Sequence, residues 1–124
     1  MVHILVVDDE KEFLDFAAAV LTRVPDSQVH STMHTDEAFR IIEAHKPQIL
    51  LLDYTLKEEL GGLDVLKKAL SVDPKAKGFI ISGNNDPNFE SICLKAGAAG
   101  FIEKPIPSVR DLLDTIQKAA QEFK

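Results

Sequence analysis

The chain has 124 residues, 45% hydrophobic and 27% charged, a size and balance that fit one globular domain with a full core and exclude a disordered segment. A net charge of −6 argues against nucleic-acid binding by this chain, and the single cysteine, Cys93, excludes an internal disulfide and fits a reducing, cytoplasmic setting. No apolar run approaches a membrane span, and residues 1–20 lack a signal peptide's basic start and small-residue cleavage site.

Ile4–Val7 reads as a strand that is apolar at every position, and it runs directly into Asp8, Asp9 and Glu10. Phe13, Phe16, Ala17, Val20, Leu21 and Val24 recur at helical spacing, which predicts a helix over roughly 11–23. Gln28–Thr32 is a weaker strand whose mixed polarity suits a sheet edge. Ala38, Ile41 and Ile42 mark a second helix, opened by Thr35 or Asp36 as cap and closed before Pro47. Ile49–Leu52 is an aliphatic strand ending in Asp53. Leu63, Leu66 and Leu70 form a third helical stripe, and Phe79–Ile81 a strand ending at Ser82 and Gly83. Asp86-Pro87 reads as cap and first helical residue of a fourth helix that ends near Gly97. Ala99–Glu103 is the last strand, and Val109, Leu112, Leu113, Ile116, Ala120 and Phe123 give a strongly periodic final helix.

Five βα units imply an α/β domain with a parallel sheet, helices on both faces and right-handed crossovers. Five strands suit a flavodoxin-like (βα)5 doubly wound fold of strand order 2-1-3-4-5, with its topological switch point between strands 1 and 3. That order brings Asp8 and Asp9 beside Asp53. Two unit charges about 4 Å apart near a protein surface repel by roughly 4 kcal/mol, so three carboxylates call for a cation. All-oxygen ligands on an open aqueous face point to Mg²⁺, with Mn²⁺ as a substitute. Taken alone, Asp9 or Glu10 could equally serve the positive N-terminus of the first helix. Asp53, Ser82 and Lys104, each at the carboxyl end of a successive strand, make a convergent site the stronger reading.

The motifs "VVDDE", "LLLD", "IIS" and "GFIEKP", in this order across the whole chain, resemble the receiver domain of two-component response regulators. The resemblance implies that Asp53 accepts a phosphoryl group from a sensor histidine kinase or histidine phosphotransfer protein and becomes an acyl phosphate. It assigns Asp9, Asp53, the Thr55 carbonyl and, directly or through a water, Asp8 to Mg²⁺; Lys104 to the acids at rest and to a phosphoryl oxygen afterwards; and the Ser82 hydroxyl to the phosphoryl group. Phe101 takes the position of an aromatic switch, and the Lys104–Pro105 peptide bond is expected to be cis. Such a domain is no ordinary enzyme: its chemistry is confined to Mg²⁺-dependent self-phosphorylation and auto-dephosphorylation. Its output is a shift of the surface formed by helix 4, strand 5 and helix 5 toward a downstream target or fused output domain. The plain alternatives are a solvated strand-end lysine, a Ser-Gly turn and a half-buried strand phenylalanine.

Several features depart from the receiver pattern. The loop "YTLKEELGGLD" is a residue longer than usual, Lys57 stands where proline is common, and Glu58 and Glu59 add charge. "KPIP" is an uncommon entry to the last helix, and Thr55 and Asn84 hold positions that tune acyl-phosphate hydrolysis. Of His3, His30, His34 and His45, only His30 and His34 have a ligand-like spacing, four apart, which would share a face only on a helix; they lie in a predicted strand and turn, and all four read as surface residues. Cys93 reads as a packed thiol. A haloacid-dehalogenase-like phosphatase would require a second aspartate at Thr55, and a nucleotide- or flavin-binding module would require a glycine-rich phosphate loop after the first strand. The remaining alternative is a receiver-like interaction module that is not phosphorylated. The chain reads as either a stand-alone receiver or one excised from a longer regulator.

Overall fold

The unbroken apolar run at the start of the chain is explained by burial on two sides. In the computed structural model, which describes residues 1–56, 59–83 and 87–123, β1 (Val2–Val7) sends alternate side chains to opposite faces of the sheet. Ile4 and Val6 enter one hydrophobic core, Leu5 and Val7 another, and all four are fully buried. β3 (Ile49–Asp53) repeats the pattern, with Ile49 and Leu51 on one side and Leu50 and Leu52 on the other. Each such side chain contributes about 1.5–3 kcal/mol through burial.

The remaining elements alternate as expected: α1 (Lys11–Leu21), β2 (Ser27–Thr32), α2 (Thr35–His45), α3 (Gly62–Val72), β4 (Lys77–Ser82), α4 (Pro87–Lys95), β5 (Gly100–Glu103) and α5 (Val109–Gln121). All strand pairs are parallel, in the order β2-β1-β3-β4-β5, which is the flavodoxin-like topology. α1 and α5 cover one face through Leu14, Val20, Leu21, Leu112 and Ile116. α2, α3 and α4 cover the other through Ile42, Val65, Leu66 and Cys93. Cys93 is fully buried, as a packed thiol should be, and burial raises its pKa.

Some local expectations are corrected. α1 ends at Leu21 rather than 23, and Phe16, placed on its core stripe, is 37% exposed while Leu14 is buried instead. Neither Thr35 nor Asp36 caps α2. His34 is the N-cap and Thr35 the first helical residue, because the Thr32 hydroxyl accepts the His34 amide (3.1 Å) and starts the helix a residue earlier. α4 ends at Lys95, and Gly97 leaves it at φ 105°, a left-handed conformation that glycine adopts without strain. The cap expected at Asp86 and the departures at Lys57, Glu58 and Asn84 lie outside the described residues.

The histidines require the largest correction. Parallel pairing sets His30 opposite Leu5, two residues along β1 from His3, so both rings face α2. The crossover returns the last residue of α2, His45, to the beginning of those strands. His3, His30 and His45 therefore stack, with ring centroids 4.5–5.6 Å apart, while His34 stands separately at the start of α2.

Candidate functional site

The carboxyl ends of β1, β3, β4 and β5 converge on one cleft of about 550 Å³, lined by Asp9, Glu10, Asp53, Thr55, Ser82 and Lys104 among others. Backbone hydrogen bonds beyond the strand ends hold this rim: Asp8 N–H donates to Thr32 O (3.2 Å), Tyr54 N–H to Ile81 O (3.0 Å) and Lys104 N–H to Ser82 O (3.0 Å). The Lys104–Pro105 peptide bond is cis.

Asp8 is fully buried beneath the cleft. Its Oδ1 accepts the Glu10 amide (2.8 Å), closing the turn between β1 and α1, and its Oδ2 accepts from Lys104 Nζ (2.9 Å). Burial nonetheless raises its pKa, with the Lys104 contact working in the opposite direction. Asp53 is 6% exposed, and its Oδ1 accepts the Thr55 amide (3.2 Å). Burial and then the Asp8 charge push its pKa up to about 7, against the opposing pull of Lys104. Burial disfavours the Lys104 ammonium, yet its hydrogen bonds to Glu10 (2.6 Å) and Asp8 prevail, and its pKa is raised.

Asp8, Asp9 and Glu10 each offer a carboxylate oxygen, all within 4.8 Å of one another, and Asp53 lies close enough to feel the charges of Asp8 and Asp9. An all-oxygen, acid-rich pocket in which burial holds Asp8 and Asp53 above the ordinary carboxylate pKa fits a hard divalent cation. Ser82 is buried at the rim, in register with Glu103. Phe101 lies on the opposite side of β5 from Ile102 and meets Phe89 edge-on at 5.7 Å; Phe89 in turn meets Tyr54 at 4.2 Å.

Three contributors lay outside the sequence reading. Glu10 occupies the N-cap of α1 without capping it, its carboxylate being drawn to Lys104 instead. Phe13 places its ring 4.6 Å from the Lys104 ammonium, a cation–π contact. Gly62, the first residue of α3, approaches the Asp53 carbonyl so closely that a Cβ there would lie 2.4 Å from the oxygen. A "GG" pair just before a helical stripe was the available signal for the last.

A family model described as response regulator receiver domain matches residues 4–117. The chain is 26% identical over 119 residues to the chemotaxis protein CheY of Thermotoga maritima, spanning 96% of this chain and 98% of that protein. It is 32% identical over 112 residues to the nitrogen assimilation regulatory protein NtrX of Azorhizobium caulinodans, spanning 89% of this chain and 24% of that longer protein. The structure of a CheY-like response regulator receiver domain protein from Methanospirillum hungatei superposes with a TM-score of 0.86 at 29% identity, covering 98% of this chain and 95% of that one.

Proposed function

This chain belongs to the response regulator receiver domain family, and on that premise we propose that it accepts a phosphoryl group on Asp53 and thereby switches a partner-binding surface. Receiver domains are signalling modules of two-component systems that work with histidine kinases and output domains, and the family generally uses Mg²⁺. The observation that carries the proposal is Asp53 itself, a nearly buried carboxylate at a strand end that shares one cleft with Asp9, Ser82 and Lys104.

An Asp53 carboxylate oxygen attacks the phosphorus of a phosphohistidine on the kinase or phosphotransfer protein. The P–N bond breaks, the imidazole leaves with the bonding pair and takes up a proton, and an aspartyl phosphate remains. Asp8, Asp9, Asp53 and the Thr55 carbonyl are the residues to hold Mg²⁺ or Mn²⁺. When bound, that cation supplies charge neutralisation between anionic donor and anionic acceptor. Lys104 exchanges its contact with Asp8 for a phosphoryl oxygen, as a point charge on a flexible stem can. The Ser82 hydroxyl donates to a second oxygen, drawing the end of β4 inward.

Phosphorylation adds about −1.5 to −2 charges, enough to reset the loops around the cleft. Phe101, packed on Phe89 at rest, is the side chain placed to respond, and α4, β5 and α5 are the output surface, where Ile92, Leu94 and Val109 are exposed. Swinging such an equilibrium from mostly off to mostly on takes about 5.5 kcal/mol of differential stabilisation. The partner is a downstream protein or an output domain, the donor a sensor histidine kinase or phosphotransfer protein, and the setting cytoplasmic.

Intact-mass analysis with a small-molecule phosphodonor tests this. A gain of one phosphoryl group that requires Mg²⁺ and is absent in Asp53→Asn is expected. Neither metal binding nor phosphoryl gain would replace this reading with that of an interaction module that is not phosphorylated.

A further inference from the structure

The stacked histidines lie at the opposite end of the sheet from the acidic cleft. His3 precedes Asp8 by five residues along β1, about 16 Å of strand. His3 Nδ1 is 3.0 Å from His30 Nε2, and ring nitrogens of His3, His30 and His45 all come within 4.8 Å of one another. Tetrahedral Zn²⁺ with nitrogen ligands at about 2.0–2.1 Å sets those nitrogens about 3.3 Å apart, so one pair is already near that spacing and the third ring, whose nitrogen lies within 4.8 Å, has to turn toward it.

We propose that His3, His30 and His45 form a binding site for a borderline divalent transition metal, of which Zn²⁺ is the representative, with water completing the coordination.

Three features of the scaffold support it. The two strand histidines are fixed by the β1–β2 register, and His3 is held further by Gln48, whose side-chain oxygen accepts its amide (2.8 Å) and whose amide donates to its carbonyl (3.0 Å). His45 is the last residue of α2, where the negative end of the helix dipole favours a cation. Burial, followed by the His45 and His3 charges, lowers the His30 pKa, which favours the neutral ring that can act as a ligand. A hydrogen-bonded pair beneath a stacked third ring accounts for the ring contacts but not for one ring nitrogen from each of three elements lying within 4.8 Å of the others.

Donor chemistry separates this site from the acidic cleft. Imidazole nitrogens suit Zn²⁺, Cu²⁺ or Ni²⁺, whereas Mg²⁺ prefers oxygen, so the two sites take different ions. An ion here ties the edge strand β2 to β1 and to the end of α2. The inference does not depend on phosphorylation of Asp53.

The test is a Zn²⁺ titration of the tag-free chain in saturating Mg²⁺, competed against a chromogenic chelator, with Co²⁺ absorption as a second readout. One equivalent of Zn²⁺ is expected in the presence of Mg²⁺, together with a tetrahedral Co²⁺ spectrum. His45→Gln, at an exposed position, and His30→Gln should each weaken binding at least about tenfold while far-UV circular dichroism stays native. The triple variant should lose the site and keep Mg²⁺ binding. Zn²⁺ binding unchanged in the triple variant would assign the metal to the acids and overturn the proposal, as would no Zn²⁺ uptake by the wild type or no effect of His45→Gln.

Discussion

Lys104 and Asp8, 96 residues apart in sequence, meet at 2.9 Å, and the aspartate in that pair is wholly buried. Removing one member of such a pair leaves an uncompensated charge in the interior. Lys104→Met should therefore lower stability by about 2–4 kcal/mol at pH 8 in cation-free urea denaturation, and by less as pH falls, because burial already raises the Asp8 pKa. Glu10→Gln, which removes the more exposed partner of the same ammonium, should cost less than about 1 kcal/mol.

The raised pKa of Asp53 makes its carboxyl a pH-dependent burden on the fold. Its folded value of about 7 lies above the unfolded 3.8, so the folded state holds the proton more tightly. The stabilisation this provides is fully present below about pH 4 and is lost as pH rises through about 7. Without divalent cations, the wild type should lose on the order of 2–4 kcal/mol across that window. Asp8, raised for the same first reason, works in the same direction. Asp53→Asn should flatten the profile and melt higher at pH 8, as thermal unfolding from pH 4 to 8 would record.

Mg²⁺ should reverse that loss. A cation at about 100 times its dissociation constant adds about 2.7 kcal/mol to the folded state. The melting temperature of the wild type at pH 8 is expected to climb with Mg²⁺ and to fall again on chelation, and that of Asp53→Asn to climb less.

Gly62→Ala should harm both fold and site, since the added methyl would lie 2.4 Å from the Asp53 carbonyl oxygen, a backbone atom that moves only with its strand. A cost of about 1–3 kcal/mol is expected, typical of overpacking. Phosphoryl uptake should slow as well, because the displaced residue is the proposed acceptor itself. Ser82→Ala should slow uptake by removing the hydroxyl proposed to hold a phosphoryl oxygen, which a phosphorylation time course would record.

The Tyr54–Phe89–Phe101 row joins the neighbour of Asp53 to β5 by two edge-on contacts. A double-mutant cycle of Tyr54→Leu and Phe89→Leu should return a coupling of about 0.5–1.5 kcal/mol, the excess of an aromatic pair over its buried area.

What could be read from sequence, and what could not, divides along physical lines. β1 and β3 were legible because Ile4–Val7 and Ile49–Leu52, buried on both faces, are apolar throughout, and Asp53, Ser82 and Lys104 followed from where the apolar runs of β3, β4 and β5 stop. The pairing of Lys104 with the acids followed from the receiver resemblance and not from the sequence around it, since pairing across 96 residues leaves no local trace. The start of α2 was misplaced by one residue because Thr32, outside the helix, turns the chain through its side chain. The histidine cluster was invisible for a related reason. Positions 3, 30 and 45 have no common period, and only parallel register and a returning crossover bring them together.

The sheet is asymmetric: β1 and β3 are sealed between two cores, whereas β5 is a four-residue edge strand without one fully buried side chain. Amide protons of Leu50, Leu51 and Leu52 should exchange with solvent only when the whole domain unfolds, and those of Phe101 and Ile102 through local opening. The proposed acceptor would then sit on a slowly exchanging strand and the proposed response on one that opens more readily. A phosphoryl group would be recorded on a rigid support while the adjoining edge shifts at little cost to the rest of the fold.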